Sequence, residues 1–113
     1  MTLKINGEDL ELIYSFRSSI YFEQISNKSL DFNNFTGNDL MNLFYCVVIA
    51  SLQKNKKPII KMLDFMDAVD ENGGDKCILE FSNWYIDTLN SQYEINDASI
   101  KEKEESPSKK KEN

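Results

Sequence analysis

The sequence predicts a mostly helical α+β fold in which an N-terminal β-hairpin is followed by about four helices and a charged C-terminal tail. Three observations predict it: an Asn6-Gly7 pair between two short alternating segments, a helix-start signal at Thr36, and apolar residues that recur every three or four positions afterwards. A length of 113 residues suits one domain. We therefore expect a single globular domain over residues 1–97 and a disordered, charged tail over residues 98–113.

The hairpin is predicted at the N-terminus. The segments Thr2–Ile5 and Glu8–Tyr14 flank Asn6-Gly7, the pair that most readily adopts the positive φ angles of a type I′ turn. In the register set by this turn, the opposite charges of Lys4 and Asp9 face each other. The same register places four apolar residues on one face: Leu3, Ile5, Leu10 and Leu12.

The first helix is predicted to start after Ser15, which can cap it, and to end near Asn27. Phe16 opens its apolar pattern, and three later members of that pattern should close the hairpin onto the core: Ile20, Phe22 and Ile25. Tyr21, Glu23 and Gln24 are then left to face a partner or a neighbouring subunit.

The second helix has the clearest local signal. Thr36 is placed as N-cap, Asp39 stands at the capping-box position, and Phe35 can pack onto Leu40 as a hydrophobic staple. The helix should run to about Gln53. Its centre is apolar on nearly every side, which is typical of a helix that is central in the core or partly covered by another chain.

Two more helices are expected after the basic segment that contains Lys57. Pro58 suits the first turn of helix 3, and Asn72-Gly73-Gly74 ends that helix. The apolar stripe of helix 3 is predicted to be Ile59, Ile60, Leu63, Met66 and Ala68. Asp75 is predicted to cap helix 4, with Trp84 beside its apolar face. That face is Ile78, Phe81, Tyr85 and Leu89.

The composition limits the classes of partner. The net charge is −6, and without Lys101–Asn113 eight basic and fifteen acidic residues remain, a charge of about −7. An acidic body argues against nucleic acid or an anionic membrane as partner. The apolar runs are far shorter than the ~18 residues that a membrane-spanning helix needs. Cys46 and Cys77 are expected to be buried, reduced thiols of a soluble cytosolic protein.

Catalytic patterns are absent from the sequence. Without histidine, the usual activation of a serine or cysteine nucleophile is excluded, and no cofactor motif is found. Asp64, Asp67 and Glu71 share one face of helix 3 and could hold a divalent cation, although a solvated helix face is the interpretation we favour. We therefore expect a binding protein rather than an enzyme, with neither cofactor nor metal.

The order of these parts resembles the tail assembly chaperones of long-tailed bacteriophages and prophages. The resemblance covers roughly residues 2 to 95: the "TLKINGEDLELIYSF" hairpin, the helix with Phe22-Glu23, the Asn27-Lys28-Ser29 turn, the capped "FTGNDLMNLFYCVVIASL" helix and the "KPIIKMLDFMDAVDENGG" segment. Asn27 departs from the glycine that is frequent in relatives, but asparagine also adopts the left-handed conformation.

The resemblance implies a chaperone that keeps the tape measure protein soluble and helps recruit tail tube protein around it. It also implies a homo-oligomer that acts in the host cell cytoplasm and leaves before the virion is complete. The alternative is a small acidic adaptor or inhibitor that docks on a host or phage protein. Candidate partner-binding residues are Tyr21, Glu23, Tyr45, Lys57, Asp64, Asp67 and Trp84.

Overall fold

The computed structural model describes the backbone of residues 1–104 and the side chains of residues 1–92. It confirms the predicted class: an antiparallel two-stranded hairpin precedes four α-helices. The elements are β1 Thr2–Ile5, β2 Glu8–Glu11, α1 Phe16–Ser26, a 3₁₀ turn Phe32–Asn34, α2 Gly37–Lys54, α3 Met62–Glu71 and α4 Asp75–Glu104.

The hairpin has the predicted turn and register. Asn6 and Gly7 have φ angles of 53° and 80°, and Lys4 lies opposite Asp9. The strand β2 ends at Glu11, earlier than the predicted Tyr14. Beyond it the Leu12 amide still donates to the Met1 carbonyl at 2.8 Å, and the Ile13 amide donates to Ser51 Oγ of α2 at 2.9 Å. The four predicted apolar residues of the hairpin are all buried.

Helix α2 is the centre of the core. Leu43, Phe44 and every residue from 46 to 52 are buried, and the helix packs against α1, β2 and α4. Phe44 stacks flat on Phe81 at 4.2 Å between ring centroids and meets Phe65 edge-on at 5.0 Å. Of the two predicted explanations for the all-round apolar character of α2, the central position is the one that the structure shows.

Helix α3 corrects the predicted stripe. It begins at Met62, four residues after Pro58, and its buried residues are Phe65, Ala68 and Val69. Predicted members Ile59, Leu63 and Met66 are instead exposed. Helix α3 carries apolar residues on two faces. The face with Phe65 packs against β1 and α4, because that ring fills the space beside Phe44 and Tyr45.

Helix α1 is also buried differently from the prediction. Ser15 caps it and Asn27 ends it with a φ of 59°, as predicted. Phe22 is fully buried, but Phe16 and Ile25 are exposed. The second buried position is taken by Ser18, whose hydroxyl donates to the Ser15 carbonyl at 2.7 Å. A small, internally bonded side chain suits the extensive α1–α2 contact better than a large apolar one.

Helices α2 and α3 are both followed directly by left-handed turns. Lys56 has a φ of 59° and the Lys57 amide donates to the Leu52 carbonyl at 2.9 Å. After α3, Gly73 has a φ of 113° and the Gly74 amide donates to the Val69 carbonyl at 2.8 Å. This six-to-one bond is the Schellman pattern expected of the predicted glycine stop.

Helix α4 buries Cys77, Phe81 and Tyr85, while Ile78 and Leu89 of the predicted face are half-buried. Asp75 is its first helical residue rather than its cap. The helix runs to Glu104 and takes in the first residues of the predicted tail, whose remainder, residues 105–113, lies outside the described residues. Within residues 1–104, none of the helices is both long enough and apolar enough to cross a membrane.

Candidate functional site

The seven predicted partner-binding residues lie on different parts of the fold. Tyr21 and Glu23 are on α1, Tyr45 is on α2, and Trp84 is on α4. Lys57 lies between α2 and α3, whereas Asp64 and Asp67 share a cleft beside the hairpin turn. The two aspartates line one common cleft.

The two candidate tyrosines form hydrogen bonds within the chain. The Tyr21 hydroxyl donates to Gln53 Oε1 at 2.6 Å and joins α1 to the end of α2. The Tyr45 hydroxyl donates to the Ile60 carbonyl at 2.6 Å and holds the segment before α3. Burial raises the pKa of Tyr45, so this donor keeps its proton. Both rings are half-buried, which leaves only part of each for contact with a partner.

The other three candidates differ in how far they are paired or buried within the chain. Lys57 pairs with Glu8 at 3.0 Å across to the hairpin, while Glu23 is exposed on α1. Trp84 is half-buried with its ring 6.0 Å from that of Phe81, at the edge of the aromatic core. An exposed pair such as Lys57 with Glu8 contributes little to stability and can be exchanged for a partner's charge.

The cleft that carries Asp64 and Asp67 is small, about 110 Å³, and also includes Glu71. Among the described residues, no three histidine, cysteine or acidic side chains are grouped closely enough to hold a metal ion. Asp64, Asp67 and Glu71 are all exposed on α3.

The two thiols are buried in the core. Burial raises the pKa of Cys46 to about 12. Burial, and then the charge of Glu80, raises the pKa of Cys77. A protonated, enclosed thiol is a poor nucleophile and metal ligand, so both cysteines act as small core side chains.

One apolar concavity was missed by sequence reasoning. It is a groove of about 410 Å³ between the 3₁₀ turn, the start of α2 and the middle of α4. Two hydroxyl side chains, Thr36 and Ser82, are part of its lining. Its apolar lining is Phe32, Phe35, Leu40, Leu43, Tyr85 and Ile86. We call this the apolar groove.

A row of aromatic rings positions one wall of the apolar groove. Phe22 of the core lies 5.8 Å from Phe35, which lies 5.0 Å from Phe32, and Phe32 in turn lies 6.1 Å from Tyr85 on α4. Each contact is within the range of favourable ring pairs. Phe32 is nevertheless 45% exposed, so part of its ring is open to the groove.

The start of α2 is fixed by a polar cluster next to the apolar groove. Thr36 and Asp39 form the predicted capping box, and Lys28 donates to the buried Asp39 carboxylate at 2.8 Å. The hydrogen bond from Lys28, followed by that from the Thr36 amide, lowers the pKa of Asp39. This cluster joins the segment after α1 to the start of α2. It thereby fixes the position of the 3₁₀ turn, which carries Phe32 and is followed by Phe35.

Two sequence signals could have indicated the apolar groove. Phe32 is a large aromatic residue inside the polar segment "KSLDFNN", where a loop needs none. Ile86 is an apolar residue outside the predicted core face of α4, and it is 48% exposed. Isolated exposed apolar residues are ordinary, but these two come together only when α4 crosses the 3₁₀ turn.

The apolar groove has a mostly apolar lining in which Tyr85 is the only ionisable residue. It can take an apolar group of a partner and release it unchanged. The chain matches no protein-family model, no curated protein and no solved structure.

Proposed function

We propose that this protein is a tail assembly chaperone of a long-tailed bacteriophage or prophage, which binds the tape measure protein and keeps it soluble. It acts by binding and without catalysis, in the cytoplasm of the host, and it helps bring tail tube protein to the complex. The observation that carries the proposal is the apolar groove on an acidic body. Such a surface can cover apolar segments of a client and keep the complex soluble.

Other exposed apolar side chains support a client-binding role. Ile59, Leu63 and Met66 project from the region of α3, and Leu79 projects from α4 at 61% exposure. A long, helical and partly apolar client needs contacts at several places along its length. Several weak apolar contacts on one chaperone also permit release, since no single site binds the client irreversibly.

Co-expression with the tape measure protein of the same genome tests this function. We expect the tape measure protein to move from the insoluble to the soluble fraction and to co-purify with the chaperone. An unrelated acidic protein of similar size and charge, expressed in the same way, is the control for a general solubilising effect.

Two results would contradict the proposal. One is a tape measure protein that is equally soluble alone or with the acidic control. The other is a chaperone that stays monomeric in light scattering and binds neither the tape measure protein nor tail tube protein, which is the behaviour expected of the adaptor or inhibitor alternative.

A further inference from the structure

We infer that Asn6 is a site of spontaneous deamidation in the folded protein, and that the fold protects Asn72 from the same reaction. This chemistry goes beyond the proposed function and does not depend on a client. Two asparagines of the chain are followed directly by glycine, Asn6 by Gly7 and Asn72 by Gly73. Because glycine has no side chain, its nitrogen can approach the preceding asparagine amide closely, so both pairs have the reactive sequence.

The reaction needs both the asparagine side chain and the backbone nitrogen after it to be free. The Gly7 nitrogen gives its proton to a base in solution and attacks the Cγ carbonyl carbon of Asn6. The new N–C bond closes a cyclic succinimide, and the side-chain nitrogen takes up a proton and leaves as ammonia. Water then opens the ring at either carbonyl, which gives aspartate or isoaspartate. Water is consumed, ammonia is released and no atom changes its oxidation state.

At Asn6 both groups are free. Asn6 and Gly7 are exposed at the tip of the hairpin, and among residues 1–92 neither the Asn6 side chain nor the Gly7 nitrogen takes part in a hydrogen bond. A Cβ placed on Gly7 would have no described heavy atom within 4 Å beyond its chain neighbours. The turn therefore has room for the rotation that ring closure needs, and opening of an exposed turn costs little free energy.

At Asn72 both groups are held. Asn72 Oδ1 accepts from the Lys4 amide at 3.1 Å, and Nδ2 donates to the carbonyls of Lys4 at 2.8 Å and Ala68 at 2.6 Å. The Gly73 nitrogen donates to the Asp70 carbonyl at 3.2 Å. The Asn72 side chain thus bonds the outer edge of β1 as a neighbouring strand would. Ring closure here would require these bonds to break and the hairpin to leave the end of α3.

Deamidation at Asn6 loosens the hairpin from α3. Isoaspartate carries the chain through its side-chain carbon, which lengthens the backbone of a turn that sets the strand register. Ordinary aspartate still suits this turn, so isoaspartate is the product that disturbs the register. Either product also adds a negative charge where Asn6 lines a cleft with Asp64, Asp67 and Glu71, and like charges repel each other.

Incubation of the full chain in mildly alkaline buffer tests the inference. Peptide mapping by mass spectrometry follows the conversion of each asparagine, and enzymatic methylation of isoaspartate identifies that product. We expect Asn6 to convert at least about tenfold faster than Asn72, because three side-chain hydrogen bonds of ordinary strength hold Asn72. The same incubation in urea is the control, since unfolding frees both amides and should bring the two rates together.

A variant without the reactive amide is the matched control for the effect on the hairpin. Asn6→Gly keeps a residue that adopts positive φ angles and removes the side chain that is attacked. After incubation, exchange of the Lys4 amide hydrogen, which is donated to Asn72, should be faster in the wild-type fraction that carries isoaspartate. It should be unchanged in incubated Asn6→Gly and in fresh wild type, and thermal unfolding confirms that the variant is folded.

Several outcomes would overturn the inference. Equal rates at Asn6 and Asn72 in the folded protein would mean that the fold does not protect Asn72. A rate ratio as large in urea as in buffer would assign the difference to neighbouring residues in the sequence. Conversion of Asn6 in urea alone would mean that the turn holds the Gly7 nitrogen away from the amide. Unchanged exchange of the Lys4 amide in the isoaspartate fraction would remove the expected loosening.

Discussion

Helices α2 and α3 have similar apolar content in their sequences but different surroundings. In α2 nearly every side chain from Leu43 to Leu52 is buried, because the hairpin, α1 and α4 surround it. In α3 only one face is covered, and Leu63 and Met66 stay exposed beside buried Phe65. An apolar side chain is buried only where another element lies against it, so an apolar pattern gives candidates for burial and the packing selects among them.

The largest expected difference between the two helices is in stability. Phe44→Ala in α2 should lower the free energy of unfolding by about 3–5 kcal/mol, because it removes a fully buried ring stacked on Phe81 and leaves a cavity. Leu63→Ala in α3 should change it by less than about 0.5 kcal/mol. Urea unfolding of the two variants measures both values. Similar losses would show that α3 buries Leu63 in solution.

A buried polar contact provides a second, smaller test of the central position of α2. Ser51→Ala should cost about 1–3 kcal/mol, because the Ile13 amide, which donates to Ser51 Oγ, would be left without its acceptor. Ser29→Ala, at an exposed serine after α1, is the matched control. Hydrogen exchange of the Ile13 amide should become faster in Ser51→Ala alone. Unchanged exchange would mean that this bond does not hold the hairpin on α2.

The smallest expected effect concerns pH and the polar start of α2. The pKa of Asp39 is lowered in the folded protein, so its stabilising contribution is present above the unfolded pKa of about 3.9 and is lost as pH falls through the folded value. Asp39→Asn should therefore be less stable than wild type at pH 7. Its difference from wild type should shrink below about pH 4.

Thermal unfolding between pH 7 and pH 2.5 (roughly the range over which such a carboxylate titrates) measures this difference. Glu11 also has a lowered pKa, through Thr2 and the N-terminal amine, so wild type will lose stability in acid for more than one reason. Subtracting the Asp39→Asn profile from that of wild type isolates the contribution of Asp39. A difference that is constant with pH would contradict the ion pair with Lys28.

The sequence by itself determined the features that depend on neighbouring residues. The Asn6-Gly7 turn with its register, the Ser15 cap, the Thr36–Asp39 capping box and the glycine stop after α3 all follow from short-range geometry, and each is present as predicted. Local backbone conformation and hydrogen bonds within a few residues need no knowledge of the rest of the chain.

Only the tertiary structure decided which apolar residues are buried and where a binding surface forms. Phe32 and Ile86 are 54 positions apart in the sequence and line one groove only because the fold places α4 beside the 3₁₀ turn. Tyr21 and Tyr45, predicted as candidate partner-binding residues, use their hydroxyls in hydrogen bonds inside the chain, because packing brings the acceptors to them. The hydrophobic effect has no direction, so the apolar pattern alone could not select these faces.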